Sequence, residues 1–483
     1  MKQSVNNIVL ILMPNGQKLP IPQALNRAIL HHQSGRLVPA IEIYRRILKA
    51  NPVHADAMHL LGVSERQQGN YSEAIALIKK AIKIKPKVAA YFNNLSQSYR
   101  ANGDLKNATV AGKKAVSLDS NMPEAYLNLG AIALENDDFD VAIESHNKAK
   151  KLRKNYVDAM IGLGDSLVKS KQFEAGLAEF KSVLAIQKNE MRAITRIGIT
   201  LRMQDRVDDA INHYKLSIER FPSEVDLYNN LAFLFQRGGR FVEAAECLRK
   251  LLELTPDDVI SRHTLNALEG STAGSTPAEY VRELFDNYAD NFESHLVEKL
   301  GYHIPEKLLE VIINSVGKRK NLSALDLGCG TGLMGIMLED YCSHLAGVDL
   351  APKMIEHARD KNIYDELAVG DVLEFMQKKE SARYDIIVAA DVFNYIGELD
   401  AIFNEAKRLL SSDGVFSFSV EAADNDSAAN YQLNETVRYS HAKKYLQQLQ
   451  LKYGFKEREF VREHMRNNHG KPVYGFMCVY SLV

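Results

Sequence analysis

Ala324-Leu325-Asp326-Leu327-Gly328-Cys329-Gly330-Thr331-Gly332 decides the fold of the second half of this 483-residue chain. Its first four residues predict a short buried strand, and three glycines follow at every second position. Glycine adopts φ > 0 and has no Cβ, so its backbone can lie directly against a ligand. The next residues, 333–338, predict the start of a helix, whose N-terminus presents unpaired N–H groups. A strand, a glycine turn and a helix in this order predict a cofactor site in a doubly wound sheet.

The glycine spacing alone leaves two classes of cofactor open. Gly330, Gly332 and Gly335 fit the loose G-x-G-x-x-G pattern of dinucleotide-binding enzymes. However, the turn begins at Gly328, one residue past the strand, and the acid Asp326 lies within the strand end. A carboxylate at this place repels a pyrophosphate, whereas it attracts a sulfonium ion that carries an ammonium group. An NAD-dependent oxidoreductase is therefore the less favoured alternative.

The order acid-x-Gly-x-Gly-x-Gly resembles the first motif of class I S-adenosylmethionine (SAM)-dependent methyltransferases. The matching residues are Asp326, Gly328, Gly330 and Gly332, with Cys329 inside the loop. The resemblance covers residues 278–483. It implies an α/β Rossmann-like, seven-stranded methyltransferase sheet with one antiparallel strand, and SAM as the cofactor.

Two further acids continue the resemblance at the ends of the next predicted strands. Asp349 ends the second strand and is followed by Leu350; an acid there accepts hydrogen bonds from both ribose hydroxyls, as it also does in NAD enzymes. Asp371 follows the third strand and precedes Val372. The resemblance implies that Asp371 binds the adenine amino group.

The remaining strands distinguish the two folds. The apolar runs 384–391 and 414–421 predict the fourth and fifth strands, and such continuous runs are typical of central parallel strands. The chain ends with strand-like runs at 456–461 and 472–482, separated by about ten polar residues. Two strands joined by a loop are antiparallel, because a parallel pair needs a crossover. This ending fits the methyltransferase arrangement and not a dinucleotide fold.

Three aromatic residues before the sheet, Phe285, Tyr288 and Phe292, share one face of a predicted helix. In similar methyltransferases such a segment covers the cofactor, which implies that Tyr288 reaches the amino-acid end of SAM. Alternatively the aromatics only pack the helix onto the sheet, and this is the favoured interpretation of Phe285 and Phe292. His295 and Tyr302 are weaker candidates of the same kind.

Candidate acceptor contacts follow the fourth strand. The segment 390–395 lies next to the methyl group in this fold, so we expect Asp391 and Tyr395 to contact the acceptor. It lacks the Asn/Asp-Pro-Pro-Tyr tetrapeptide of amino-methyltransferases that act on nucleobases and amides. Since SAM carries its own leaving group, the enzyme has to align the reactants and exclude water. An oxygen or protonated-amine acceptor needs a base, whereas a carboxylate or a neutral nitrogen does not.

A second candidate cluster precedes the predicted helix 442–451. The chain between residues 424 and 440 is polar and irregular, as expected of a lid or substrate loop. Arg438 is a candidate to pair with an acidic substrate, and His441 is the candidate base. The alternative is a simple helix start, in which Ser440 caps the helix and His441 is exposed.

The first half of the chain is a repeat array. Residues 21–258 align without gaps in seven rows of 34. The eighth column holds Ala28, Gly62, Ser96, Gly130, Gly164, Gly198 and Ala232, the fifteenth holds Gly35, Gly69, Gly103 and Gly239, and Pro52, Pro86, Pro222 and Pro256 close four rows. Small residues let antiparallel helices approach, glycine allows the turn between them, and proline ends the second helix. The array resembles seven tetratricopeptide (TPR) repeats.

These patterns predict four segments. They are an N-terminal segment at 1–20, a TPR solenoid at 21–267 that ends in a capping helix at 259–268, a flexible linker at 268–277 and a methyltransferase domain at 278–483. The apolar run 8–13 is shorter than a signal-peptide core and predicts a short strand or a contact with the first repeat.

Composition adds expectations about location and partners. The chain has no run of eighteen apolar residues, and its four cysteines lack metal-type spacing, so we expect a cytoplasmic protein with reduced thiols and no metal. Residues 1–270 hold 37 Lys and Arg against 29 Asp and Glu, and the rest hold 23 against 32, giving +8 and −9. The basic half is suited to an acidic partner, although solvated helix faces explain it equally well. No dense basic cluster is interleaved with aromatic residues, so nucleic acid is not expected.

The function expected from the sequence is methyl transfer from SAM to an unidentified acceptor, with the TPR groove recruiting a protein partner or the substrate. The alternative is a TPR adaptor with a catalytically silent SAM-binding domain.

Overall fold

The computed structural model describes residues 9–13, 16–270, 274–289, 292–293, 303–317, 319–423, 429–468 and 471–482. The chain forms two compact units, Met1–Arg220 and Phe221–Val483. By packing, the last repeat and the capping helix belong to the second unit. The domain boundaries drawn from the sequence therefore stay a prediction.

The repeat array folds as pairs of helices of 13 and 14 residues, whose starts recur every 34 residues. The first unit holds α1 (Ile21–Gln33), α2 (Leu37–Ala50), α3 (Ala55–Gln67), α4 (Tyr71–Ile84), α5 (Ala89–Ala101), α6 (Leu105–Leu118), α7 (Pro123–Glu135), α8 (Phe139–Leu152), α9 (Val157–Lys169), α10 (Phe173–Ile186), α11 (Met191–Met203) and α12 (Val207–Arg220). The second unit begins with α13 (Val225–Arg237), α14 (Phe241–Leu254) and α15 (Val259–Leu268). The predicted helical solenoid is confirmed.

Small residues in the eighth column are needed for close helix packing. A Cβ added to Gly198 would lie 2.1 Å from the Tyr214 ring, and one added to Gly164 would lie 2.4 Å from the Phe180 ring. The fifteenth column has positive φ even where glycine is missing, as at Asp137 (54°). The backbone turn is therefore retained across the array, and glycine is only its commonest solution.

A short hairpin precedes the first repeat. Strands β1 (Leu10–Leu12) and β2 (Lys18–Pro20) pair antiparallel. Ile11 and Met13 are buried against α1 and α2, which satisfies both expectations for the apolar run at 8–13. Among the described helices, none is long and apolar enough to cross a bilayer.

The rest of the second unit alternates strands and helices. Its elements are α16 (Ala278–Tyr288), α17 (Ile304–Val316), β3 (Leu322–Leu327), α18 (Leu333–Leu338), β4 (Cys342–Asp349), α19 (Pro352–Asp360), β5 (Glu366–Val369), α20 (Val372–Gln377), β6 (Tyr384–Ala389), α21 (Asp400–Leu409), β7 (Leu410–Ala422), β8 (Tyr431–Leu433), β9 (Tyr439–His441), α22 (Lys443–Tyr453), β10 (Phe455–Asn468) and β11 (Lys471–Leu482), with 3₁₀ turns at Glu339–Tyr341 and Phe393–Tyr395.

The sheet order is β10-β11-β7-β6-β3-β4-β5. Strands β3 to β7 run parallel, and β11 is antiparallel to both of its neighbours. Along this path of seven strands β11 is the reversed strand, which confirms the Rossmann-like sheet. Alternate residues of β3 and β6 enter apolar clusters on opposite faces of the sheet. Because β3 to β7 are parallel, their C-terminal ends lie at the same edge of the sheet.

Three details differ from the sequence predictions. Strands β10 and β11 extend to Asn468 and from Lys471, so the predicted connection of about ten residues is wrong. The hairpin β8–β9 was not predicted; it continues the sheet where β9 pairs with the end of β7. Ser440 lies inside β9 and does not cap α22, whose N-cap is Ala442.

The described end of the predicted linker is held to the sheet. Thr276 N–H donates to Tyr395 O at 2.9 Å, and the N–H groups of Gly397 and Glu398 donate to Gly274 O at 3.0 and 2.8 Å. A flexible segment is therefore the wrong description of residues 274–276, because the turn after β6 fixes their backbone. Nearby, Ala267 of α15 packs in a cluster with Leu433, Val437 and Tyr439 of the β8–β9 hairpin.

Candidate functional site

The glycine turn after β3 uses its three glycines in different ways. All have positive φ: 62° at Gly328, 54° at Gly330 and 91° at Gly332. An added Cβ at Gly328 would lie 2.5 Å from Val392 Cγ2, and one at Gly332 would lie 3.1 Å from Tyr364. Among the described residues, a Cβ at Gly330 would meet one ring carbon of Phe292, 3.9 Å away, which is an ordinary contact distance. Gly330 is therefore the motif glycine with the most room beside its backbone.

Asp349 ties this turn to the end of β4. Its Oδ2 accepts a hydrogen bond from Gly330 N–H at 3.0 Å, and its Oδ1 accepts one from Ala351 N–H at 2.8 Å. Burial raises the pKa of Asp349, while these backbone donors lower it. An ionised carboxylate has about four acceptor positions, so the group retains acceptor capacity for a ligand hydroxyl. Leu350, the next residue, is half-buried.

Asp371 ends the β5 connection as the N-cap of α20. Its Oδ1 accepts from Leu373 N–H at 2.9 Å and from Glu374 N–H at 3.1 Å. Both bonds use one oxygen, so Oδ2 is left as an acceptor at the same edge. Val372 is buried as the first helical residue. The adjacent Gly370 N–H donates to Asp349 O at 2.9 Å, which joins the two strand ends.

Asp326 is buried and accepts a hydrogen bond from Tyr364 Oη at 2.7 Å. Burial raises the pKa of Asp326 to about 7; Tyr364 lowers it and Asp349 raises it further. Tyr364 was missed in the sequence. Its ring also explains Gly335, where an added Cβ would lie 2.3 Å from Tyr364 Oη. The third glycine of the dinucleotide-like pattern thus makes room for a tyrosine and not for a pyrophosphate.

Cys329 lies inside the loop and is buried. Burial, and then Asp326 and Asp349, raise the pKa of its thiol well above its usual range. A neutral buried thiol is unsuited to nucleophilic attack.

Helix α16 and the residues after it lie over this edge. The Phe285 ring packs 5.4 Å from Tyr395 and 6.0 Å from Phe292, and Tyr288 packs 5.6 Å from Phe292. Phe292 is the residue that a Cβ at Gly330 would meet. The aromatic face therefore covers the turn, and the approach of Tyr288 to SAM stays a prediction.

Ion pairs and backbone contacts fix this cover. Lys353 N–H donates to Asp286 Oδ1 at 3.0 Å, while Lys361 Nζ donates to Thr331 O at 2.8 Å and pairs with Glu293. The weaker candidates His295 and Tyr302 lie outside the described residues.

On the acceptor side, Asp391 has a left-handed φ of 63°, an uncommon value outside glycine. Its N–H donates to Ser419 Oγ at 2.9 Å, and its Oδ1 accepts from Asn394 Nδ2 at 2.7 Å. Asn394, missed in the sequence, also accepts from Glu421 N–H at 3.1 Å through Oδ1. These bonds hold the turn after β6 against the end of β7 and fix the Asp391 carboxylate.

Two arginines and two carboxylates meet beside this turn. Arg466 Nη2 donates to Glu421 Oε1, and Arg466 Nη1 lies 3.8 Å from Asp391 Oδ2. Arg438 Nη1 lies 3.6 Å from Glu421 Oε1. The sequence indicated Arg438 and Asp391 but missed Arg466 and Glu421, since nothing in the local pattern of β10 or β7 marks either residue.

Tyr395 lies within the same cluster. The guanidinium carbon of Arg438 is 5.2 Å from the centre of the Tyr395 ring. Burial raises the pKa of Tyr395. The positive charges of Arg438 and Arg466 lower this pKa, and the negative charges of Asp391 and Glu421 raise it. Asp391, Tyr395 and Arg438, which the sequence analysis placed in two separate candidate clusters, therefore lie close together, and their contact with an acceptor stays a prediction.

His441 is not placed as a base. It is fully buried in β9, and its Nε2 faces Ile396 O at 3.0 Å and Gly397 O at 3.1 Å. Because carbonyl oxygens only accept, Nε2 carries a proton. Burial lowers the pKa of His441 to about 4, so the ring is neutral near pH 7 and Nδ1 is unprotonated. His441 is thus neither the exposed residue nor the accessible base of the sequence analysis, and it anchors the turn after β6.

Comparison with known proteins matches both halves of the chain. A family model described as a methyltransferase domain matches residues 318–461. Tetratricopeptide repeat models match residues 25–89 and 61–123, 123–156, and 225–258. The chain therefore carries TPR repeats and a methyltransferase domain.

Curated relatives match part of the chain. The chain is 29% identical over 138 residues to a malonyl-[acyl-carrier protein] O-methyltransferase from Acetivibrio thermocellus, covering 28% of this chain and 47% of the relative. It is 28% identical over 143 residues to an uncharacterized methyltransferase from Schizosaccharomyces pombe, covering 26% and 50%. The chain thus spans about half the length of these relatives.

Among solved structures, a tetratricopeptide repeat protein from Parabacteroides merdae is similar with 16% identity and a TM-score of 0.41. The match covers 52% of this chain and 98% of that protein.

Proposed function

We propose that this chain, which carries a methyltransferase domain and TPR repeats, transfers a methyl group from SAM to an acceptor that its TPR array helps to recruit. The family match to residues 318–461 supports the enzyme class. The sheet order with one reversed strand supports the same class on independent grounds.

The site fits the chemical groups of SAM. Asp349 faces the turn with two carboxylate oxygens and suits the ribose hydroxyls, and Asp371 Oδ2 suits the adenine amino group. Asp326 and the backbone at Gly330 would hold the charged amino-acid end, under the cover that contains Tyr288. When bound, SAM supplies an activated methyl group on a sulfonium leaving group.

Protein residues then align and exclude water. The aromatic face of α16 covers the turn, and the Asn394 network fixes the adjacent acceptor side. Alignment and dehydration are what an in-line displacement requires of its enzyme. The observation that carries the proposal is Gly330, whose N–H is bonded to the Asp349 carboxylate and which has the most room of the three motif glycines among the described residues.

Calorimetric titration of the full chain with SAM and with S-adenosylhomocysteine tests the cofactor half of the proposal. We expect both to bind and Asp349→Asn to weaken both, because the amide nitrogen replaces one acceptor oxygen and would face a backbone N–H that needs an acceptor. Asp360→Asn, on the exposed end of α19, is the matched control and should bind as wild type does. A folded wild-type chain that binds neither compound contradicts the proposal.

The recruitment half is a separate claim. Stacked repeats form extended binding surfaces. The name of the Acetivibrio thermocellus relative includes an acyl carrier protein, which supports an acceptor presented on a protein. When the chain is added to a lysate that lacks it, label from tritiated SAM should enter a component of the lysate. An excess of residues 1–268 should reduce this labelling by competing for the acceptor. SAM binding without any transfer favours the alternative, a TPR adaptor with a silent cofactor site.

A further inference from the structure

Arg466 presents a buried donor that the fold does not use. The residue is 9% exposed, and its Nη2 is bonded to Glu421. Its Nη1 makes no hydrogen bond within the described residues and lies 3.8 Å from Asp391 Oδ2, beyond hydrogen-bonding distance. A buried donor without a partner is costly, and a guanidinium group forms its strongest pairs when both nitrogens bind carboxylate oxygens.

Tyr395 presents a second such group. It is 7% exposed, and its Oη also has no hydrogen-bond partner among the described residues. Its ring is fixed between Phe285 and Arg438, so the hydroxyl cannot easily turn away. Tyr395 ends the 3₁₀ turn after β6, and Val392 at the start of this turn contacts Gly328 of the cofactor turn. The unused donors therefore lie next to the place proposed for SAM.

Bases at this edge are already committed. The Nε2–H of His441 is bonded to two carbonyl oxygens, and its buried Nδ1, which has no partner among the described residues, is a weak base because burial lowers the pKa of His441 to about 4. The Asp391 carboxylate accepts from Asn394 and lies near Arg466. A hydroxyl or ammonium acceptor would have to lose a proton to such a base. An acceptor that is already deprotonated needs donors instead, and donors are what the described residues of this edge offer.

We propose that Arg466 Nη1 and Tyr395 Oη hold a carboxylate of the methyl acceptor, so that the product is a methyl ester. In the transfer, a carboxylate oxygen forms a bond to the methyl carbon, the methyl–sulfur bond of SAM breaks, and its electron pair stays on sulfur; no proton moves. Arg438 is then a positioning residue that holds the Tyr395 ring. This inference rests on the proposed function and names the acceptor class.

The linkage in the product tests this assignment. The chain and tritiated SAM are added to a lysate that lacks the chain. The labelled small-molecule and protein fractions are then treated with mild alkali. Methyl esters release volatile methanol, whereas methyl groups on nitrogen, sulfur, carbon or ether oxygen stay in place. Volatile label supports the assignment, and the fraction that yields it separates free acids from protein-bound carboxylates. Alkali-stable label overturns it and leaves the proposed function intact.

Binding gives a readout that does not depend on turnover. The full chain saturated with S-adenosylhomocysteine is titrated with propionate and with its neutral isostere propionamide at constant ionic strength. We expect propionate alone to bind, and Arg466→Gln and Tyr395→Phe to weaken it by about tenfold or more, the usual effect of losing a hydrogen bond to a charged group. Arg462→Gln, an exposed arginine on the same strand, is the matched control.

Two results of this titration overturn the assignment: equal binding of propionate and propionamide, or no propionate binding by a chain that binds S-adenosylhomocysteine. Since Arg466→Gln also leaves Glu421 with fewer donors, its melting temperature is measured in parallel. Tyr395→Phe removes only an unbonded hydroxyl and keeps the test decisive if Arg466→Gln fails to fold.

Discussion

SAM affinity should rise with pH because of one buried carboxyl group. Burial raises the pKa of Asp326 to about 7, so half of the free protein carries a neutral carboxyl group near neutral pH. The groups that face it are Tyr364, which donates to it, and Asp349 and Cys329, which add no positive charge. A cationic ligand is the missing counter-charge and should bind only the ionised form.

The size of the effect follows from the ionised fraction. A pKa of about 7 leaves roughly a tenth of Asp326 ionised at pH 6 and roughly nine tenths at pH 8. Apparent affinity scales with the competent fraction, so SAM should bind about tenfold more tightly at pH 8 than at pH 6. The sign is fixed because ionisation, which binding requires, is favoured as pH rises. Binding at pH 6 should release close to one proton.

Calorimetry in buffers of different ionisation enthalpy measures both the affinity and the proton release. In Asp326→Asn the proton release should vanish. Any ionisation of SAM itself contributes equally to the wild-type and variant titrations, so the difference between them reports on Asp326. In Tyr364→Phe the carboxylate loses its hydrogen bond, so the midpoint should move above pH 7 and affinity at pH 7 should fall. A folded wild-type chain whose SAM affinity is flat from pH 6 to 8, with no proton released, refutes this reasoning.

Three further outcomes are expected. Gly328→Ala and Gly330→Ala share a left-handed strain of about 1–2 kcal/mol. Gly328→Ala should lower the melting temperature more, because its Cβ would also lie 2.5 Å from Val392. Gly330→Ala should instead lose SAM affinity. His441→Ala should destabilise the chain by about 1–3 kcal/mol and leave the pH profile of turnover unchanged. Residues 278–483 should melt below residues 221–483, since the β8–β9 hairpin loses its contact with α15.

Patterns set by local geometry were predicted from the sequence. The 34-residue period gave helix starts that the structure repeats, and α15 has the predicted bounds. The antiparallel pair at the end of the chain was predicted because two strands joined by a loop cannot be parallel, whereas the seven-stranded sheet was implied by the family resemblance. Glycine turns were found for the same local reason, since only their positive φ had to be recognised.

Side-chain partners were not predictable in this way. Tyr364 is 38 residues from Asp326, and Arg466 is 45 residues from Glu421. Each pair meets only because the sheet places distant strand ends at one edge, and no periodicity encodes that meeting. His441 was misjudged because the polar run before it hid the short β8–β9 hairpin, whose burial decides the protonation of the imidazole ring.

The same hairpin joins the end of the repeat array to the acceptor side. Ala267 of α15 packs with Val437 and Tyr439, the two neighbours of Arg438 in the chain, and Arg438 in turn lies over the Tyr395 ring. His263 of α15 also packs 5.8 Å from the ring of Tyr280 in α16, the helix that covers the cofactor turn. Helix α15 thus contacts both α16, which covers the cofactor turn, and the β8–β9 hairpin, which carries Arg438. Asp349 and Asp371, by contrast, are held by backbone N–H groups at the starts of α19 and α20.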